Sequence, residues 1–172
     1  LSREVKQVTT AAGNEGIEFT RGRRLVFKAR SAHSARSFSA DTVVLDEAYE
    51  LTANEMSALG PTLSARPDPQ KLIGSSAGMP QSAVLRGFRD QGRTGAPGLA
   101  YAEWAAEMHP CAVEGCTHAM GTPGCAFDDH VLWVAANPAI QRGRITLRTI
   151  EDDRLAMAAD PMKFAREHLG VW

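Results

Sequence analysis

The chain has 172 residues, 44% of them hydrophobic and 23% charged, and a formal net charge of −1. This is the composition of one ordinary globular domain with enough length to bury a substantial core. Near-neutrality excludes a global basic field, so any nucleic-acid contact has to come from a local patch. No run approaches the roughly 18 apolar residues of a membrane span, so no membrane contact is expected. The opening Leu1-Ser2-Arg3-Glu4-Val5-Lys6 lacks the basic and apolar regions of a signal peptide. It also lacks an initiator Met, which points to a fragment. Three cysteines lie between positions 111 and 125 and make no even disulfide framework, so a reducing, cytosolic compartment is expected.

Taken in chain order, Ile17-Glu18-Phe19 and Leu25-Val26-Phe27 flank the polar turn Thr20-Arg21-Gly22-Arg23, a β-hairpin pattern. Residues 31–40 are Ser- and Ala-rich and read as a loop. Thr42-Val43-Val44-Leu45-Asp46-Glu47-Ala48 reads as a buried parallel strand with two acids at its carboxyl end. Thr52-Ala53-Asn54-Glu55 resembles a capping box and predicts a helix start, which Gly60-Pro61 interrupts or ends. Pro67-Asp68-Pro69 marks a turn. Lys71-Leu72-Ile73 is a short strand that runs into Gly74-Ser75-Ser76-Ala77-Gly78. Ser82 to Gln91 is helical, with Gly92 as its stop. Leu99 to Trp104 reads as strand or helix. Residues 109–127 form a Cys/His/Gly/Pro loop. Asp129 to Asn137 is a helix that stops before Pro138. Thr149 is read as the cap of a helix through Ala158. Asp160-Pro161 caps a last helix that Gly170 ends. No internal repeat is present.

The acidic strand end carries chemistry. In an open α/β sheet, ligands bind beyond the carboxyl ends of strands. An aspartate there can hold Mg²⁺, and a second carboxylate can orient or deprotonate an attacking water. Adjacent acids on a strand point to opposite sides, so Asp46 and Glu47 need not share one task. The plainer reading is an acidic pair that closes a strand. The other reading, the acidic Walker B strand of a P-loop-type ATPase, is strengthened by the second strand, which ends in Ser75-Ser76. In additional-strand ATPases such a hydroxyl senses the γ-phosphate. A phosphate-binding Gly-x-x-x-x-Gly-Lys-Ser/Thr loop is absent from the 172 residues. Thr10-Ala11-Ala12-Gly13-Asn14-Glu15-Gly16 has glycines but no lysine.

Several stretches, in order, resemble the large terminase subunit of tailed bacteriophages, in its actinophage-type branch. They are residues 36–48 around Val43-Val44-Leu45-Asp46-Glu47-Ala48, Leu72-Ile73-Gly74-Ser75-Ser76-Ala77-Gly78, Tyr101-Ala102-Glu103-Trp104, residues 133–139, and residues 164–172. The resemblance implies a partial P-loop NTPase of the additional-strand type: an α/β parallel sheet with a β-hairpin and C-terminal linker helices. Residues 1–108 would be the later part of the ATPase domain, 109–127 a Cys/His loop, and 128–172 a helical linker toward a nuclease domain. The phosphate-binding half would precede Leu1, and the nuclease carboxylates would follow Trp172. The resemblance also favours strand for Leu99–Trp104.

By that resemblance Asp46 holds Mg²⁺, Glu47 is the catalytic glutamate, and Ser75 or Ser76 is the coupling residue. Arg36 matches an arginine that reaches a neighbouring subunit's ATP, although Ser37 stands where the family often has Gly. The implied cofactors are ATP and Mg²⁺. The implied partners are double-stranded DNA, the portal, the small terminase subunit and neighbouring large subunits in a ring. The implied location is the host bacterial cytoplasm and the procapsid portal.

Two further features stand beside this. Cys111, Cys116, His118 and Cys125 offer four zinc-type ligands, with His109 and His130 as alternates. A reduced surface loop is the other reading, but a loop this long without secondary structure is usually stapled or functional. Arg21, Arg23, Arg24, Lys28 and Arg30 make the hairpin locally basic, either as a solvated face or as a contact for DNA phosphates. Glu151, Asp152 and Asp153 are placed in the first turn of a helix, where they suit its dipole. Two other function classes compete with the motor fragment. One is a zinc-stapled DNA- or protein-binding module on a degenerate ATPase scaffold. The other is a helicase, against which residues 133–138 and 164–172 argue.

Overall fold

The computed structural model describes residues 4–29, 39–106 and 127–172. Arg36 and the four proposed zinc ligands lie outside these residues. The fold is α/β: an antiparallel sheet, a two-stranded parallel sheet and seven helices among the described residues. The chain divides into two compact units, residues 1–43 with 53–71, and residues 44–52 with 72–172.

The first unit begins with the hairpin sheet, β1 (Val5–Thr9), β2 (Gly16–Phe19) and β3 (Arg24–Val26), in that order. The predicted pair is β2 and β3. Gly22, at φ 74°, makes their turn, and the Phe19 amide donates to the Arg23 carbonyl at 2.9 Å. β1 escapes a period-two reading because its register slips between Val5 and Gln7. Lys6 and Glu18 form an ion pair across β1 and β2 at 2.7 Å. Arg21, Arg23, Arg24 and Lys28 are exposed, and Lys28 Nζ donates to the Gly13 carbonyl at 3.1 Å. Further along, α1 (Ala53–Ala58) starts where the capping-box pattern places it, and α2 (Gly60–Ser64) restarts the helix with Pro61 in its first turn. The Thr62 carbonyl accepts from the Ala40 amide at 3.4 Å, and Arg66 pairs with Asp41 at 3.4 Å.

β4 (Thr42–Leu45) and β5 (Gln70–Ile73) form the parallel pair. Asp41 O accepts from Gln70 N at 2.8 Å and Leu45 O from Gly74 N at 2.9 Å, so both strands run the same way in constant register. The expectation of a strand buried on both faces is corrected. Val43 and Leu45 are buried, but Val44 is 63% exposed. Among the described residues only one face of β4 is covered, so burial alternates with the pleat.

In the second unit, α3 (Ala83–Arg93) is strongly amphipathic and runs through Gly92, which therefore does not stop it. The turn comes at Gly95, φ 68°. Gly92 serves packing instead: a Cβ there would overlap the Tyr101 ring and lie 2.7 Å from its Cβ. Leu99–Trp104 forms no strand. It is held by side chains rather than by a ladder, with Arg93 donating twice to the Glu103 carboxylate at 2.9 and 2.7 Å. Those bonds hold the Glu103 carboxyl below its ordinary range.

The remaining helices are α4 (His130–Ala136), α5 (Pro138–Gln141), α6 (Leu147–Ala156) and α7 (Pro161–Leu169). Asp129 and Asp160 cap α4 and α7 by accepting from Val131 N and Lys163 N. The cap of α6 is Thr146, not Thr149; its Oγ1 accepts from Thr149 N at 3.2 Å. The helix ends at Ala156, short of Ala158, and starts two residues before Thr149. Glu151, Asp152 and Asp153 therefore lie beyond its first turn. Trp133, Ile150, Phe164, Ala165 and Leu169 form the core of these helices, with Trp133 edge-on to Phe164 at 5.4 Å. Asp128 is buried beside this core, 3.4 Å from Arg154, and burial raises its carboxyl above the ordinary value.

Gly170 ends α7 in the left-handed region, φ 64°, where a Cβ would lie 2.6 Å from the Trp104 carbonyl oxygen. Gly143 is also left-handed, φ 66°, but faces open space. In urea denaturation, Gly143→Ala is expected to cost about 1 kcal/mol of backbone strain. Gly170→Ala is expected to cost more, about 2–3 kcal/mol, because strain and overlap add. Equal losses would contradict this account of the α7 terminus.

Candidate functional site

The site grows from the carboxyl ends of the two parallel strands. Gly74 donates to the Leu45 carbonyl and accepts from the Ala48 amide at 3.1 Å. The chain therefore turns away from β4 at Asp46 and Glu47, directly beside the end of β5. Asp46 Oδ1 accepts from the Glu47 amide at 3.0 Å. Glu47 is the only non-glycine with positive φ among the described residues, at φ 51° and ψ 47°. That conformation costs an L-residue about 1–2 kcal/mol and marks a place where surrounding structure dictates the backbone.

A single 3₁₀ turn, Ala48–Glu50, follows at once. Ala48 and Leu51 are buried and pin it from below. Both acids are exposed. Strand alternation does not set their directions, because β4 ends at Leu45 and the left-handed Glu47 reverses the chain.

The loop after β5 is bonded to this turn. Ser75 Oγ accepts from the Tyr49 amide at 2.9 Å. Ser82 Oγ donates to the Tyr49 carbonyl at 2.5 Å and accepts from the Met79 amide at 2.9 Å. Tyr49 thus has both of its backbone polar groups taken by hydroxyls 26 and 33 residues away. Ser82 is buried, and these two bonds satisfy it. Ser76 is exposed and makes no hydrogen bond to a described residue. Arg86 Nη2 reaches back from α3 to the Pro80 carbonyl at 3.1 Å.

The structure therefore brings Asp46, Glu47, Ser75 and Ser76 to one end of the parallel pair. Tyr49 and Ser82 belong to the same assembly. The sequence marks Ser82 only as the start of a helix and gives Tyr49 no signal, because neither bond has a short-range signature. Arg36, Cys111, Cys116, His118 and Cys125 lie outside the described residues. Of the two alternate zinc ligands, His109 also lies outside the described residues, and His130 sits on α4 with Nε2 3.4 Å from Glu151 Oε1 and its ring 4.7 Å from Trp133. Among the described residues, no three His, Cys, Asp or Glu side chains converge as a metal site, and no helix is long and apolar enough to cross a membrane.

Chemically, a carboxylate at a strand end is a hard oxygen donor of the kind Mg²⁺ takes. A second exposed carboxylate and hydroxyls from the adjacent strand lie on the same end. In open α/β sheets this carboxyl edge is where ligands bind. Among solved structures, the crystal structure of the HK97 bacteriophage large terminase is similar: TM-score 0.69 at 15% identity, covering 99% of this chain and 33% of that chain. The fold is therefore terminase-like, and the chain spans about a third of that protein's length. No protein-family profile matches the sequence, and no curated protein does.

Replacing Glu47 by Gly should release left-handed strain and raise stability by about 0.5–1 kcal/mol in urea titrations. Ser75→Ala should lower it by about 1 kcal/mol, since the Tyr49 amide loses its partner. A destabilised Glu47→Gly protein would show that the glutamate side chain, not strain, dominates at that turn.

Proposed function

We propose that this chain is part of the ATPase motor of a tailed-phage large terminase, of the actinophage type, which drives double-stranded DNA into a procapsid. The observation that carries the reading is the joining of the Asp46-Glu47 turn to the Ser75-Ser76 loop at the carboxyl ends of two parallel strands. The terminase-like fold supports it.

In this reading Asp46 holds Mg²⁺ and Glu47 orients and deprotonates the attacking water. Mg²⁺, when bound, neutralises charge on the transferred phosphoryl group. Ser75 ties its loop to the acid turn through Tyr49. The exposed Ser76 is then the hydroxyl that senses the γ-phosphate. Arg36 reaches the nucleotide of a neighbouring subunit in a ring. Residues 1–108 belong to the ATPase domain, 109–127 form a zinc loop held by Cys111, Cys116, His118 and Cys125, and 128–172 lead toward a nuclease domain. The basic hairpin contacts DNA phosphates. The portal and the small terminase subunit are the protein partners, in the host cytoplasm.

The 172 residues contain no phosphate-binding loop and its lysine, so this chain supplies the hydrolytic half of a site. By itself it should show no significant ATP turnover. In a gene product that joins it to a Gly-x-x-x-x-Gly-Lys-Ser/Thr loop, Glu47→Gln should lower kcat about 10²–10⁴-fold with KM for ATP little changed. Glu47-dependent hydrolysis by the 172 residues alone would overturn this division of the site. Retained hydrolysis in Glu47→Gln would overturn the assignment of the base.

Zinc is tested separately. Protein purified without chelator should carry about one zinc per chain, and Cys116→Ser or Cys125→Ser should release it. Metal-free protein would remove the zinc site and leave the ATPase reading intact.

A further inference from the structure

The acid turn and serine loop are held from a third side by a residue far along the chain. After α7, Gly170 turns the backbone and Val171 drops into the helical core, its amide donating to the Ala165 carbonyl at 3.1 Å. This delivers Trp172 onto Gly78. A Cβ at Gly78 would overlap the indole ring and lie 2.9 Å from the Ser82 Cβ. On the indole itself sits the Arg89 guanidinium of α3, 4.3 Å from the ring centroid. Arg89 is in turn oriented by Asp90, with Nε and Nη2 at 2.9 and 2.7 Å from Oδ1. A guanidinium over an indole face is a favourable cation–π contact, strongest when partly desolvated, and the Arg89 side chain is only 17% exposed.

We propose that Trp172 is a positioning residue for the nucleotide site. It acts through Gly78 and Ser82 on Tyr49 and Ser75, so the placement of α7 is transmitted to the turn that carries Asp46 and Glu47. The path is continuous and short. Trp172 packs on Gly78, Ser82 Oγ holds Met79 N and Tyr49 O, and Tyr49 N is held by Ser75 Oγ. Its consequence for hydrolysis rests on the ATPase reading above; its mechanical part does not. Gly78 is explained by the same contact: it lacks a side chain because the indole occupies that space.

Amide hydrogen exchange on the 172-residue chain tests the mechanical part. In Trp172→Ala, amides of residues 77–79, 81 and 82 and of Tyr49 should exchange about tenfold faster, while those of α4 and α7 stay within about twofold. Trp172→Phe, which keeps a ring under Arg89, should restore most of the protection. Gly78→Ala, which keeps the tryptophan but fills its seat, should reproduce Trp172→Ala. If Trp172→Ala loses protection everywhere, the Gly78→Ala comparison decides. Unchanged exchange at 77–79, 81, 82 and Tyr49 in Gly78→Ala overturns the proposal.

The ATPase assay of the joined gene product tests the consequence. Trp172→Ala should lower kcat about tenfold with KM for ATP within about twofold, and Trp172→Phe should recover it. Faster exchange with unchanged kcat would overturn the coupling to hydrolysis. Retained hydrolysis in Glu47→Gln would instead overturn the site assignment and leave the exchange result standing.

Discussion

Gly74 carries the interaction on which the site depends. Its amide closes the ladder to Leu45 and its carbonyl receives Ala48, so one residue locks the end of β5 to the chain on both sides of Asp46 and Glu47. Backbone bonds of this kind are individually modest, about 1 kcal/mol net. Their value here lies in register. A slip of one residue in a parallel pair would turn every side chain over and move the serine loop by about 3.3 Å along the strand. The serine hydroxyl would then miss the Tyr49 amide. Register at Gly74 therefore precedes the side-chain bonds that complete the site.

Those side-chain bonds convert a strand end into a fixed assembly. The bonds of the 3₁₀ turn run from the Glu50 amide to Glu47 and from the Leu51 amide to Ala48, and the Tyr49 amide and carbonyl are bonded to Ser75 and Ser82. The left-handed Glu47 is the cost of this arrangement. A chain that leaves β4, exposes two acids and re-enters the core at Ala48 within three residues has to reverse sharply, and Glu47 supplies the reversal. Strain of this size persists only where neighbours over-determine the backbone, and here Leu45, Gly74, Ser75 and Ser82 do so.

Much of this was legible in the sequence wherever the signal is local. The acids after Val43-Val44-Leu45, the break at Gly60-Pro61, the cap at Asp160-Pro161 and the stop at Gly170 all rest on short-range rules, and the structure follows them. The α6 cap is misplaced locally, by three residues, but the misreadings at Gly92, Leu99–Trp104 and Val44 turn on packing between segments. Gly92 looks like a helix stop but is a seat for Tyr101. Leu99–Trp104 has strand-like residues but is anchored by Arg93 and Glu103 rather than by a ladder. β4 reads as buried on both faces because Val43, Val44 and Leu45 are all apolar, yet among the described residues nothing covers Val44 and it is exposed. The site divides the same way. The acids and serines announce themselves by type and position; Tyr49 joins the assembly through its backbone amide and carbonyl, which no side-chain pattern encodes.

The two glycines nearest the site make the same point about side chains that are absent. Among the described residues Gly74 has only Asp46 Oδ1 near its open position, at 3.9 Å, an ordinary contact, so its role is in the ladder. Gly78, four residues on, has the reverse character: its absent side chain is the space in which Trp172 sits. One glycine sets where the serine loop begins and the other sets what presses on it. Between them lie Ser75 and Ser76, which are therefore bounded by a backbone ladder at one end and an aromatic contact at the other. A segment bounded in this way can shift only if one boundary yields. The ladder is part of the sheet, whereas the aromatic contact is a single half-buried ring beneath one arginine. The softer boundary is thus the one that faces the C-terminal helices.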